Sequence, residues 1–331
     1  MKFGPVATKD ALGCVLAHSV ALPSGRLKKG QLLTGDDVAV VRAAGIESLI
    51  VAELGPLDVR EDDAAGRLAN LLAGDHIRAD DPFTGRANLY ARQAGVLLAN
   101  RDVVDAFNRV DPAITIACLP DDTFVEADRM VGTVKIIPLA VDAVALEAAE
   151  EVLSGETAID VSPSLPNRVG LIATQLPHLK SATMDKTRRI LDERLAVAGS
   201  RVAMETRVPH SAADVATALR GVANESDLII IFGASAIADQ DDVIPSALRE
   251  AGGVVRHVGM PVDPGNLLMT GALDTTPVIG APGCARSPAE NGFDWVLQRL
   301  LAQLPVDDAY LTGLGVGGLL MEIHSRPQPR Q

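Results

Sequence analysis

An α/β fold is predicted, on three observations. The second half of the 331-residue chain alternates short apolar runs with helix-length amphipathic stretches. That is the pattern of βαβ units, a parallel sheet with helices on both faces. Several of the runs, above all Leu228-Ile229-Ile230-Ile231-Phe232, are short enough to be buried parallel strands. Hydrophobic residues make up 47% of the chain, so substantial cores can form at this length.

From the amino end, residues 8–22 read as a short helix followed by a strand. Residues 30–51 read as a loop, a helix over 36–44, Gly45 as its stop and a strand over 48–51. Asp36 suits a helix cap or a first-turn anion there. An Ala- and Leu-rich helix is expected over 61–73, ended by Gly74, with apolar residues at 64, 65, 68, 71 and 72 at helical spacing. Residues 114–119 and 133–137, rich in Ile, Thr and Val, are strand-like, and a helix follows over 141–153. The Pro- and Ser-rich stretch 161–167 marks the main boundary. The expected organisation is a mixed α and β region over 1–158, an α/β domain over 159–306 and a carboxyl-terminal extension or linker stub over 307–331.

In the second half, strands are expected at 169–174, 201–207, 228–232, 254–258 and 277–280. Helices are expected at 184–198, 212–222, 243–251 and 289–304. The tail over 325–331 reads as a disordered end or a linker stub.

Composition excludes several classes. Aromatic residues are 3% of the chain and the formal net charge is −13, so modules that stack bases or coat a phosphate backbone are not expected. Cys14, Cys118 and Cys284 lie far apart with no CxxC spacing, which argues against a zinc site and fits a reducing cytoplasm. The six His residues show no metal-ligand spacing. No apolar run reaches the roughly 18 residues that would span a membrane, and no amino-terminal signal stretch is seen. The Gly-rich run 313–318 lacks a following βα unit and is not read as a dinucleotide loop.

Three strand-end loops carry the candidate site. The first, after the strand at 228–232, is Gly233-Ala234-Ser235 running on to Asp239, Asp241 and Asp242. Small residues there leave backbone amides open, and Ser235 adds a hydroxyl. The three carboxylates could bind ligand hydroxyls or amines, hold Mg²⁺ through hard oxygens, or simply begin a helix favourably. The second loop is Asp263-Pro264-Gly265-Asn266, a turn whose polar side chains could meet a polar ring. The third, Pro282-Gly283-Cys284-Ala285-Arg286-Ser287, lies between a strand and a helix. Its amides could hold a phosphate, with Arg286 as charge partner. Cys284 at a helix start could also be a nucleophile if His257 or His178 approached it in space. In open α/β sheets ligands bind at the carboxyl ends of strands, so the three loops together suit an anionic small molecule.

Taken as an ordered set, these loops resemble the molybdopterin-binding family that includes the Mog-like proteins, gephyrin and the molybdenum-insertion enzymes. The family's Gly, Ser and Asp loop matches 233–242, its Pro-Gly turn matches 263–266, and its Gly-Leu-Pro-Gly-Asn-Pro loop matches 280–285. Residues 58–65 and 133–138 look like the amino-terminal region of bacterial proteins in which this module precedes a molybdenum-cofactor nucleotidyltransferase domain. Two departures stand out. Phe232-Gly233-Ala234 replaces Thr or Ser followed by two Gly, and Cys284-Ala285 replaces Asn-Pro.

The resemblance implies a three-layer, Mog-like domain, a homodimer, and binding of molybdopterin or molybdenum cofactor during its biosynthesis. It implies pterin and phosphate contacts from Gly233, Ala234, Ser235, Gly265, Asn266, Pro282, Gly283, Cys284 and Ser287. Asp242, Asp239 and Asp263 would meet polar ring atoms or a metal, and Lys135 would offset phosphate charge. Two other activities are open on this resemblance. One is a Mg²⁺-dependent molybdopterin molybdotransferase, with Asp242 and Asp239 as catalytic candidates. The other is a carrier that hands cofactor to a nucleotidyltransferase or a molybdoenzyme.

Overall fold

A computed structural model describes residues 1–177 and 181–321. His178 and the tail over 325–331 lie outside the described residues. The chain divides into two compact units, Met1–Gln93 with Leu97–Val161, and Ala94–Val96 with Ser162–Gln331.

The amino-terminal unit is built on antiparallel pairings. Strands Lys2–Ala7 and Val15–Leu16 flank Ser48–Glu53. The expected helix after residue 30 spans Gly35–Ala43; Thr34 caps it in a capping box with Asp37, and Asp36 lies in its first turn. A four-stranded sheet runs in the order Ile114–Cys118, Met130–Ile136, Arg86–Ala91, Ile77–Ala79. Helix Glu61–Leu72 buries Ala64, Ala65, Leu68 and Leu72 in one core with Leu89, Val134 and Ile136. Leu71 is 51% exposed. At 100° per residue it sits about a quarter-turn from the centre of the buried stripe.

The carboxyl-terminal unit is a three-layer α/β domain. Its elements in chain order are β1 (Arg168–Gln175), α1 (Ser181–Ala196), β2 (Arg201–Pro209), α2 (Ala212–Ala223), β3 (Leu228–Phe232) and α3 (Val243–Glu250). There follow β4 (Val254–Val258), β5 (Met269–Leu273), β6 (Thr276–Ala281), α4 (Gly292–Leu301) and α5 (Asp308–Gly313). The sheet order is β2-β1-β3-β6-β5-β4. The pairings among β2, β1, β3 and β6 are parallel, and β5 runs antiparallel to both its neighbours.

Strand alternation supplies both faces. Ile230 and Phe232 of β3 pack with Leu191 and Leu195 of α1 and with Phe293, Val296 and Leu297 of α4. Ile229 and Ile231 pack with Val215 and Leu219 of α2 and with Ile244 and Leu248 of α3. Because successive side chains point to opposite faces, one five-residue run serves two cores.

Three differences from the sequence expectation have physical causes. Strand β5 was not expected, because Met-Thr-Gly-Ala-Leu carries little strand propensity, yet every residue of it is buried. A Cβ at Gly271 would come within 2.5 Å of Leu248 Cδ2 and of the Val254 carbonyl, so close packing demands glycine there. Antiparallel to both neighbours, β5 leaves the sheet mixed but mostly parallel, in keeping with the expected α/β fold. Helix α4 begins at Gly292 rather than 289, because Asn291 caps it in a capping box with Asp294. Helix α5, beyond residue 306, joins this unit's core through Leu311.

Candidate functional site

Parallel strands β1, β2, β3 and β6 end at one edge of the sheet, and β4, antiparallel to the reversed β5, ends there too. All three candidate loops therefore leave the same rim. The first follows β3, the second connects β4 to β5, and the third follows β6.

Side chains tie the loops together. In the third loop, Gly283–Arg286 forms a single 3₁₀ turn. Arg286 then reaches back to the first loop, its Nη2 donating to the Gly233 carbonyl at 2.8 Å and its Nη1 to Thr187 Oγ1 of α1 at 2.8 Å. Its guanidinium lies 5.2 Å from the centre of the Phe232 ring. Among the described residues it forms no ion pair. Burial pushes its pKa below the usual arginine value, since desolvation disfavours the charged form.

Arg194 of α1 has the opposite character. It pairs with Asp294 and donates to the carbonyls of Ala285 and Ser287 at 2.9 and 2.8 Å. It pins the back of the third loop and is fully engaged. The second loop is anchored through α4, where the Gly292 amide donates to the Pro264 carbonyl at 2.9 Å. Asp263 makes backbone hydrogen bonds with Gly318 and Leu320, so the Gly-rich run 313–318 backs this loop. Asn266 gives its carbonyl to the Met260 amide.

Other candidates are partly committed. The Ala234 amide donates to Thr174 Oγ1 at 2.6 Å, so it is already used. Gly233 is required by packing, since a Cβ there would lie 2.6 Å from the Ser235 carbonyl. Gly283 faces open space. Pro282 and Ser287 close the third turn, the Pro282 carbonyl accepting from Ala285 and the Ser287 amide donating to Cys284.

The acidic run does not form one cluster. Asp242 caps α3, its carboxylate accepting from the amides of Val243 at 2.7 Å and Ala238 at 3.1 Å. Asp239 accepts from the Asp241 amide, and Asp241 stands 91% exposed beside Arg249. Among the described residues no group of three or more His, Cys, Asp or Glu side chains is arranged to hold a metal ion.

Cys284 is not an activated thiol. Burial pushes its pKa up, and its Sγ donates to Asn291 Oδ1 at 3.6 Å. His257, considered as its partner, instead pairs with Asp308 at 2.9 Å. Lys135 belongs to the amino-terminal unit, where its Nζ donates to the Thr84 carbonyl at 2.6 Å and lies 3.7 Å from Glu61.

Two residues at this rim escaped the sequence reading. Thr174 is the penultimate residue of β1 and His210 follows β2, and with Ser235 they form a continuous hydrogen-bonded line. Thr174 Oγ1 lies 2.8 Å from His210 Nδ1, and His210 Nε2 lies 2.9 Å from Ser235 Oγ.

Comparison with known proteins now adds to this geometry. Residues 170–303 match a family model described as a probable molybdopterin binding domain. The three loops, Arg286, His210 and Thr174 all fall inside that range. The carboxyl-terminal unit thus carries a domain of molybdopterin-binding type, of the class implicated in molybdenum cofactor biosynthesis. Residues 5–53 match a model described only as a domain of unknown function. No curated protein matches the chain.

Among solved structures, a molybdenum cofactor biosynthesis protein from Pyrococcus furiosus is 14% identical, with a TM-score of 0.27 over 94% of this chain and 65% of that one. The chain thus spans just under two thirds of that protein's length. A molybdopterin biosynthesis MoeA protein from a second Pyrococcus is 14% identical, with a TM-score of 0.32 over 91% of this chain and 75% of that one. The molybdopterin biosynthesis enzyme MoaB from a Thermus species is 21% identical, with a TM-score of 0.30 over 42% of this chain and 98% of that one. No helix among the described residues is long and apolar enough to cross a membrane.

Proposed function

We propose that the carboxyl-terminal unit binds molybdopterin or the molybdenum cofactor during cofactor biosynthesis, gripping its phosphate at the rim between the first and third loops. The observation that carries this reading is Arg286, a half-buried cation without a carboxylate partner among the described residues, bonded to Gly233 across the two loops. A buried charge left unpaired by the protein calls for a ligand of opposite sign. A phosphate monoester on a pterin has that sign and also offers polar ring edges to the flanking loops.

In this reading Ser235 and Arg286 hold the phosphate, and the open face beside Gly283 receives the ring. The cofactor is held for hand-over to a nucleotidyltransferase or a molybdoenzyme, and the working form is a homodimer, as the sequence resemblance implies. The test is an anaerobic titration with molybdopterin. Wild type should bind at micromolar concentration or tighter, and Ser235→Ala and Arg286→Met should bind far more weakly. Equal affinity in all three proteins would remove the rim from the model.

A further inference from the structure

The line Thr174–His210–Ser235 looks at first like a nucleophile, a base and an orienting group. Its hydrogen bonds run the other way. The Thr174 side chain is fully buried, and its oxygen accepts the Ala234 amide at 2.6 Å. A threonine hydroxyl has one proton to donate. Among the described residues the one other partner of this oxygen is His210 Nδ1 at 2.8 Å, so the proton goes there. Leaving it unplaced in the interior would be costly.

Nδ1 is therefore an acceptor, and the uncharged ring carries its proton on Nε2. That N–H donates to Ser235 Oγ at 2.9 Å. The Ser235 oxygen is thus already an acceptor, and its own proton is left to point elsewhere. Ser235 is exposed at the rim. The reverse polarity, with Ser235 donating to the ring and Nδ1–H donating to Thr174, would give Thr174 two incoming N–H groups and strand its buried proton. His210 is consequently not a base for Ser235, and the line is not a hydrolytic triad.

We propose that His210 is a positioning residue that commits Ser235 to donate outward, so that this point on the rim selects an oxyanion such as a terminal phosphate oxygen. This rests on the binding reading above for the identity of the ligand, but not for the direction of the hydrogen bonds. The positive charge of Arg286, bonded to Gly233 two residues away, suits the same anion.

Two measurements on the full chain test it. Long-range ¹⁵N NMR of the His210 ring, assigned by its loss in His210→Gln, should show the Nε2–H tautomer at neutral pH without ligand; an Nδ1–H tautomer overturns the proposal. Titration then compares wild type, His210→Gln, His210→Leu and Ser235→Ala with molybdopterin and, separately, with inorganic phosphate. Glutamine keeps an N–H for Ser235 and should hold affinity close to wild type. Leucine frees the Ser235 proton to turn away and should cost roughly tenfold or more, the scale of a hydrogen bond to a charged group. Wild-type affinity in His210→Leu alongside a weakened Ser235→Ala would refute the positioning role. If wild type binds phosphate but not molybdopterin, the pterin assignment fails while the tautomer and the phosphate series still decide the role of His210.

Discussion

Replacing Arg286 by methionine separates binding from stability, and the structure gives the size of each effect. The folded state loses two hydrogen bonds, to Thr187 and to Gly233, and the guanidinium's contact with Phe232. At about 1 kcal/mol for each bond and about 0.5–1 kcal/mol for the ring contact, the loss is about 2.5–3 kcal/mol. Against it stands the relief of a half-buried cation with no carboxylate partner among the described residues. Burial lowers the Arg286 pKa, which means that the folded state disfavours the charged form relative to the unfolded chain. That penalty is of the order of a few kcal/mol for a group not wholly buried. Methionine also keeps apolar volume against Phe232. The two sides nearly cancel, so Arg286→Met should change unfolding free energy by no more than about 1–2 kcal/mol in either direction. Binding of an anion should fall by roughly 10- to 100-fold, since a charge-assisted pair worth about 1.5–3 kcal/mol is lost with no compensation. Urea unfolding and calorimetric titration on the same preparation provide both numbers. A loss of more than about 3 kcal/mol in stability with unchanged affinity would make Arg286 a structural tie and refute the reasoning.

Arg194→Leu should behave in the opposite way. It strands Asp294 in a pair whose side chains are each 11% exposed, and should cost about 3–5 kcal/mol in urea unfolding; a loss under about 1 kcal/mol would show that α1 does not hold the third loop. Gly265→Ala combines a φ of +138° with a Cβ placed 2.6 Å from the Gly292 amide nitrogen. It should destabilise by about 2–4 kcal/mol, read as a lowered Tm, and an unshifted Tm would mean that the second loop can move off α4 without cost. Cys284, its thiol pKa raised by burial, should be alkylated by iodoacetamide more slowly than a free thiol near neutral pH. The rate should climb only as pH passes above the ordinary thiol range of about 8.5, and fast labelling at neutral pH would contradict the buried thiol.

How much of this was legible in the sequence depended on whether the signal was local. The run 228–232 was read with its bounds unchanged, because a short apolar segment followed by Gly-Ala-Ser leaves few alternatives to a buried strand. The helices after 211 and 242 were legible because Ser211 and Asp242 cap them, and such caps are written in the chain itself. Strand β5 was not, since its glycine and small residues answer to Leu248 and Val254 packing against it rather than to any propensity of its own. The acidic run 239–242 could not be resolved from composition. Three carboxylates in four positions serve equally well to hold a metal or to begin a helix, and only the direction of the Val243 and Ala238 amides shows Asp242 spent on the helix. His210 was invisible for a different reason. Its partners lie 36 residues before it and 25 after it, and they meet only because the sheet order is β2-β1-β3, which no local pattern encodes.

The proposed anion site in a chain of net charge −13 is less paradoxical than it sounds. At physiological ionic strength charges beyond about 8 Å are largely screened, so the groups at the rim decide its sign. Of the carboxylates placed near the rim by chain order, Asp294 pairs with Arg194, Asp241 lies beside Arg249, and Asp242 and Asp239 accept backbone amides. Arg286 has no carboxylate partner among the described residues, and by the polarity of the Thr174–His210 line the proton of Ser235 is left to point outward. Both are donors. A fold under selection for stability alone would have paired Arg286 with one of those carboxylates, and local conflicts of this kind are expected where function sets the residue.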